Sequence, residues 1–285
     1  MTALATVGDI GENPTVVERL SMVVSDSLTV TKRNVIKIKR VPDVLIFSTL
    51  SPIMFVLLFA YIFGTAIKVP GMEGGYREFI IAGIFVQTVV FGSTFTGLSL
   101  AEDMQKGIID RFRSLPMAPS SVLIGRTVSD VVINVVSLVV MSLTGLVVGW
   151  RIRGSVVDAI LAYILLLLFA YAISWIMAVV GLIVRTPEVF NNASFMVIFP
   201  LTFLANTFVP MSELPTPLRV FAEWNPVSAL TQASRELFGN AAPLTAESTA
   251  WSMRHPVATT LIWVVIIMAV FVPLALRQYR KTVSR

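Results

Sequence analysis

Few residues in this 285-residue chain could do chemistry, and their scarcity is informative. Cysteine is absent and there is one histidine, His255. Thiolate zinc sites, Fe–S clusters, disulfides and His-rich metal sites are therefore excluded. His255 precedes Pro256 with no candidate nucleophile or acid beside it, so an ordinary loop or interface residue is its simplest reading. No G-x-x-x-x-G-K-[ST] stretch occurs, so the chain has no P-loop for ATP. Asp130 and Asp158 are the ionisable side chains within the long apolar runs, each near a run's end. A charge deep in a bilayer costs about 2.5–3.5 kcal/mol on insertion scales, so ion-coupled carriers keep such groups in their pathway for a reason. Nearly empty runs argue against a secondary carrier, and the missing base argues against an intramembrane hydrolase. Catalytic and metal-ligating residues are accordingly expected to be none.

One polar segment stands out. Glu102–Leu115 reads EDMQKGIIDRFRSL and precedes Pro116. Acidic residues at its start and basic residues at its end suit a helix dipole. Ile108, Ile109, Phe112 and Leu115 make an apolar face, with Lys106, Asp110 and Arg113 opposite. Such a helix lies flat on a membrane surface, or offers its charged face to a cytoplasmic protein.

The elements that position it are membrane helices. Hydrophobic residues make up 55% of the chain and charged residues 14%, against about 25% charged in soluble domains. A span needs roughly 20 apolar residues. Six runs qualify, at 44–64, 79–101, 127–149, 156–184, 189–209 and 257–276. With both termini cytoplasmic, 15 of the 22 Lys and Arg fall inside, as the positive-inside rule requires. Trp150, Trp224, Trp251 and Trp263 then fall at the outer interface. The fold class is an all-α polytopic membrane protein with six transmembrane helices. Residues 1–30 form a flexible cytoplasmic tail, and 31–285 the membrane domain. The net charge of +5 suits lipid headgroups or an acidic protein, and no nucleic acid is expected.

Thr31–Val41, TKRNVIKIKRV, predicts an interfacial helix with Arg33, Lys37 and Arg40 on one side and Leu28, Thr31, Val35 and Ile38 on another. Beyond span five, Asn225 suits a helix cap, Pro226 its first turn and Gly239 the position after its end. Two short helices here either form an external cap or dip into the outer leaflet as re-entrant elements. In span five, Phe195, Phe199 and Phe203 form a stripe, flanked by Asn206; span two carries Gln87 near mid-depth. Packing is the plainer reading of the stripe, and a path for an amphipathic substrate the functional one. In span two, Ser93, Gly97 and Ala101 have the small-residue spacing of closely packed helices.

Several stretches together resemble type-2 ABC export permeases, most closely those of daunorubicin/doxorubicin resistance. They are GIIDRFRSLPMAPSSVLIGRT from Gly107, YIFG at Tyr61, GIFVQT at Gly83, RTPE at Arg185, PLTFLANTFVP at Pro200 and EWNPVSALTQASRELFGN at Glu223. The likeness runs from about Val35 to Arg280, with Ala82 and Pro119 departing from the pattern. It implies a permease subunit of an ATP-driven exporter in the plasma (inner) membrane, moving amphipathic drugs or lipid-like compounds. It implies two ABC ATPase subunits as partners and a second permease chain, identical or related. This chain would bind no cofactor; ATP and Mg would belong to the ATPase. Glu102, Asp103, Lys106, Gly107, Asp110, Arg111 and Arg113 become candidates for ATPase coupling, and the external helices become re-entrant elements that close the exit. A permease-like scaffold or sensor without transport, and an ion-coupled carrier, remain the alternatives.

Overall fold

The computed structural model describes residues 16–40, 42–63, 75–108, 119–208, 214–241 and 250–283, all helices and their connections. In chain order the helices are α1 (Val16–Arg40), α2 (Pro42–Leu58, followed by a π-helical turn Phe59–Phe63), α3 (Gly75–Gly92) and α4 (Thr94–Gln105). Then come α5 (Pro119–Val148), α6 (Val156–Ile183), α7 (Pro187–Phe203), α8 (Thr216–Trp224), α9 (Pro226–Phe238), α10 (Trp251–Arg254) and α11 (Pro256–Val283). Among the described residues, four stretches are long and apolar enough to cross a bilayer: Gly75–Gln105, Ser120–Val148, Val156–Ile183 and Pro256–Lys281. They coincide with four of the six runs. The other two runs correspond to α2 with its π-helical turn, and to α7, which has 17 residues. Run 189–209 overshoots α7 because the chain turns at Leu204–Phe208.

The helix starts follow from capping chemistry. Ser155 Oγ accepts from the Asp158 N–H at 3.1 Å and donates to the Asp158 carboxylate at 2.7 Å. Asp158 is thus part of a helix cap, which accounts for one of the two intramembrane acids. Thr186 caps α7 in the same way, ahead of Pro187. Asn225 accepts from Val227 N–H at 2.8 Å, and Gly239 takes a left-handed φ of 73° after α9, as expected from the sequence.

The α6 helix lies at the centre, packed against α11, α4, α9, α5, α3 and α7. The seam with α4 is unusually close. A side chain on Gly181 would meet the Gly97 carbonyl oxygen at 2.3 Å, so the two backbones touch there. At one end of the bundle Phe85, Trp150, Tyr163 and Phe238 stack edge to face, with Trp150 centred 5.2 Å from both Phe85 and Phe238.

Two expectations are corrected here. The interfacial helix begins at Val16 rather than Thr31, so residues 16–30 are helical and not a loose tail. Its buried side is Ser27, Val30 and Asn34, while Leu28 is exposed. Thr31 donates to the Gly125 carbonyl and Asn34 to Ser129 Oγ, so α1 docks on α5 through polar contacts that a search for apolar stripes overlooks. Trp150 is fully buried and donates to Asn240 Oδ1 at 3.0 Å; it is a core residue, not an interfacial anchor.

Candidate functional site

A cavity of about 400 Å³ lies between α2, α3, α4, α5 and α7. Gln87, Phe195, Phe199 and Phe203, singled out from two separate spans, all line it. Phe199 stacks on Phe203 at 4.2 Å between centroids and lies 5.1 Å from Phe195, so the stripe is a continuous aromatic wall. All three rings are partly exposed. Across from them stand Phe55 of α2, Phe91 of α3 and Phe95 of α4. Polar groups are few: Ser51, Gln87, Thr88 and Ser137. Thr88 spends its hydroxyl on the Ile84 carbonyl at 2.7 Å. Gln87 Oε1 is buried without a hydrogen-bond partner. Among the described residues, no charged side chain lines the cavity. Such a lining has the shape and polarity that suit flat, apolar molecules, and among the described residues it sets no acid or base beside its serine hydroxyls.

Asn206 departs from this group. It sits in the turn after α7, buried, with its N–H donated to Ser228 Oγ and its carbonyl accepting from Arg235. It does not line the cavity. The spacing that placed it beside the stripe assumed that span five continues helically past Phe203.

One cavity wall carries a break. The chain turns at Ser93 between α3 and α4, within a stretch otherwise long enough to span. Sequence reading found no broken span, although Gly92-Ser93 is a Gly/Ser pair of the kind at which helices kink. Ser93 Oγ donates to the Val89 carbonyl at 2.7 Å or the Ala170 carbonyl at 2.9 Å. Asp130 of α5 accepts from the Thr96 N–H at 2.8 Å and contacts Ser174 Oγ at 3.4 Å. The second intramembrane acid thus meets the first turn of α4.

The proposed coupling segment is described through Ile108. Glu102 and Asp103 do not start a helix; they lie in the last turn of α4. Lys106 N–H bonds to the Glu102 carbonyl, Gly107 N–H to the Met104 carbonyl, and Gly107 has φ 63°. This ending satisfies the last carbonyls and stops the helix. Lys106 pairs with Glu102 at 3.3 Å on an exposed face. Asp103 turns inward to a buried pair with Arg126, which removes it from the surface available to a docking partner. Asp110, Arg111 and Arg113 lie outside the described residues. Arg33 is on α1 with an exposed side chain. Lys37 and Arg40 are on the same helix, their side chains outside the described ones.

The opposite end of the bundle holds a network that sequence reading missed. Arg235 is 2% exposed, a buried cation that the sequence alone does not reveal. Its guanidinium lies 3.5 Å from the Phe79 ring centroid and donates to the carbonyls of Phe79, Asn206 and Thr207 at 2.9–3.1 Å. Beside it, Glu78 accepts a forked pair from Arg153 at 2.9–3.1 Å and a bond from Asn240. These contacts join α3, the α5–α6 turn, the turn after α7, and α9. The signal in the sequence was the amphipathic pattern of α9, whose Arg235 faces protein while the neighbouring Glu236 is exposed.

The ABC-2 type transporter family model matches residues 26–238. The daunorubicin resistance ABC transporter permease protein DrrB1 of Streptomyces coeruleorubidus is 35% identical, over 97% of this chain and 92% of its own. The putative transport permease ycf38 of Cyanophora paradoxa is 24% identical, over 79% of this chain and 78% of its own. The probable doxorubicin resistance ABC transporter permease protein DrrC of Mycobacterium tuberculosis is 24% identical, over 65% and 66%.

Proposed function

Because the chain belongs to the ABC-2 type transporter family and is a permease of the drug-resistance exporter kind, we propose that it moves amphipathic drugs or lipid-like compounds outward, driven by separate ATPase subunits. The observation that carries this reading is the uncharged, aromatic cavity, to which two spans bring Gln87, Phe195, Phe199 and Phe203. A flat apolar molecule gains there by leaving water, and a few hydroxyl and amide groups orient it.

In this reading α2 and α7 complete six spans in the plasma membrane, with both termini cytoplasmic. Two ATPase subunits, carrying ATP and Mg, dock at the cytoplasmic end. Residues 102–115 form the coupling element, with Glu102, Lys106, Gly107, Asp110, Arg111 and Arg113 as its contacts. Arg33, Lys37 and Arg40 support that surface or meet anionic lipid. A second permease, identical or related, completes the pathway, and α8 and α9 sit as re-entrant helices over the exit. The chain contributes binding and shape change, and the ATPase contributes hydrolysis.

The test is ATP hydrolysis in proteoliposomes by this chain with a candidate ABC ATPase from the same organism, with doxorubicin and daunorubicin as probes. Expected is hydrolysis that needs both proteins and rises with drug. In Phe199→Ala the drug-stimulated rate should fall several-fold more than the basal rate. Equal loss of both would make the stripe plain packing. Nucleotide-dependent shape change without drug flux would favour the scaffold or sensor, and flux driven by an ion gradient without ATP would favour a carrier.

A further inference from the structure

We infer that Asp130 is a positioning residue for the cavity: from α5 it caps the first turn of α4 and thereby fixes the break at Ser93. The first amides of any helix lack intrahelical partners, and inside a bilayer no water replaces them. The residue that would normally serve is Ser93, but its own backbone is helical (φ −70°, ψ −9°) and its side chain makes no cap bond. Its hydroxyl is taken by the Val89 and Ala170 carbonyls. The cap therefore comes from another helix. Asp130, 4% exposed, meets the Thr96 N–H at 2.8 Å. Thr96 is the third residue of α4, the place where a cap's oxygen normally accepts. An acid at a helix N-terminus also gains from the helix dipole, which offsets part of its burial cost.

The consequence for transport lies in which residues flank the break. Gln87, Phe91 and Gly92 precede it, Phe95 follows it, and all four line the cavity. The angle held at Ser93 sets how this wall faces Phe199 on α7. Farther along α4, the Asp103–Arg126 pair ties the same two helices together. With both pins in place α4 and α5 move as one body. Displacement at the α4 terminus then reaches the cavity wall through the break rather than dissipating between the helices.

The absence of cysteine makes a direct measurement clean. Spin labels at Gln105→Cys and Val147→Cys report α4 against the far end of α5, and labels at Val147→Cys and Val157→Cys serve as control; all three sites are exposed. In nanodiscs, Asp130→Ala should broaden the first distance distribution at least about twofold. Asp130→Asn, which keeps an acceptor oxygen, should restore most of the native width, and the control pair should not change. An unchanged first pair in Asp130→Ala overturns the inference. Should that variant not insert, the unmodified protein still decides. Its Thr96 amide should exchange with solvent roughly tenfold or more slowly than an uncapped first-turn amide, and fast exchange there overturns the inference.

The second readout rests on the exporter reading. In the complex with its ATPase, Asp130→Ala should raise the half-saturating doxorubicin concentration roughly fivefold, the scale of one lost buried hydrogen bond. The maximal rate should move less than the half-saturation point, and Asp130→Asn should recover most of the loss. Equal changes in both parameters would mean a structural role alone. A wild-type complex that never responds to drug defeats the exporter reading, while the distance measurement still decides the cap.

Discussion

The two ends of the helix bundle are held together by different means. Around α9, a buried cation and a shared carboxylate stitch together segments far apart in sequence. Arg235 grips three backbone carbonyls, and Glu78 gathers Arg153 and Asn240. Around α4, close backbone contact does most of the holding, at Gly97 and Gly181, and two acids pin α4 to α5. Orphaned polar atoms occur at both ends: Gln87 Oε1, Asn134 Oδ1 and Arg126 Nε near the cavity and the Asp103 pair, and Asn206 Oδ1, Thr207 Oγ1 and Ser234 Oγ around Arg235. Strong directional bonds from several segments to one guanidinium make a joint that opens as a unit or not at all. Smooth helix faces with a few pins can shift in small steps. The α9 end is thus the more tightly bonded joint, and the α4 end the one whose contacts permit small shifts.

The largest expected effect breaks the first joint. Arg235→Met keeps much of the volume but leaves the Asn206 and Thr207 carbonyls without their donor in a buried turn. Relief from burying a charge offsets part of that loss, and a net cost of about 2–4 kcal/mol is expected. Thermal unfolding in detergent, followed by tryptophan fluorescence, reads it directly, since Trp150 packs in the same region. A variant as stable as the parent would mean that the carbonyls find other partners and that the joint is not a unit.

Next in size is Gly181→Ala at the α4–α6 seam. The new methyl would lie 2.3 Å from the Gly97 carbonyl oxygen and 2.7 Å from its Cα, both backbone atoms that cannot swing away. The helices must separate, at a cost of about 1–3 kcal/mol. The comparison is sharpened if this variant loses drug-stimulated hydrolysis while Arg235→Met loses stability. If both show the same mixture, the two ends do not divide the work.

Legibility in the sequence followed the same division. Features set by local chemistry were readable: the Asn225 cap, the Gly239 stop, the small-residue face of span two and the aromatic stripe. Gln87 and the three phenylalanines could be grouped because both sets lie within regular helix, where spacing dictates the face. What failed depended on contacts between distant segments. Trp150 looked interfacial because it follows a span, yet Asn240, ninety residues on, satisfies its indole N–H. The burial of Arg235 was hidden because charge-counting presumes water around a cation, while here carbonyls and a ring replace it. Asp103 looked like the start of a helix because acids favour that position. It is instead held in the last turn by Arg126. The break at Ser93 carried no proline, and its signal, the Gly92-Ser93 pair, was passed over.

The smallest expected effect on stability is also the most discriminating. Glu102 and Lys106 form an exposed i, i+4 pair at 3.3 Å, with the lysine side chain 58% exposed. Water screens both charges, so Glu102→Gln should change unfolding free energy by no more than about 0.5 kcal/mol. Insertion and the α4 terminus should survive, because Gly107 and the carbonyls of Glu102 and Met104 shape that turn without the carboxylate. A coupling role makes a different demand. If this turn meets the ATPase, removing its negative charge should weaken copurification and drug-stimulated hydrolysis severalfold in an otherwise native protein, more so at low salt than at high salt. If Glu102→Gln leaves both stability and hydrolysis unchanged at low salt, the exposed face of α4 does not contact the ATPase. Docking would then fall to residues 109–118, and α4 would still move through its two buried pins, Asp103 and Asp130.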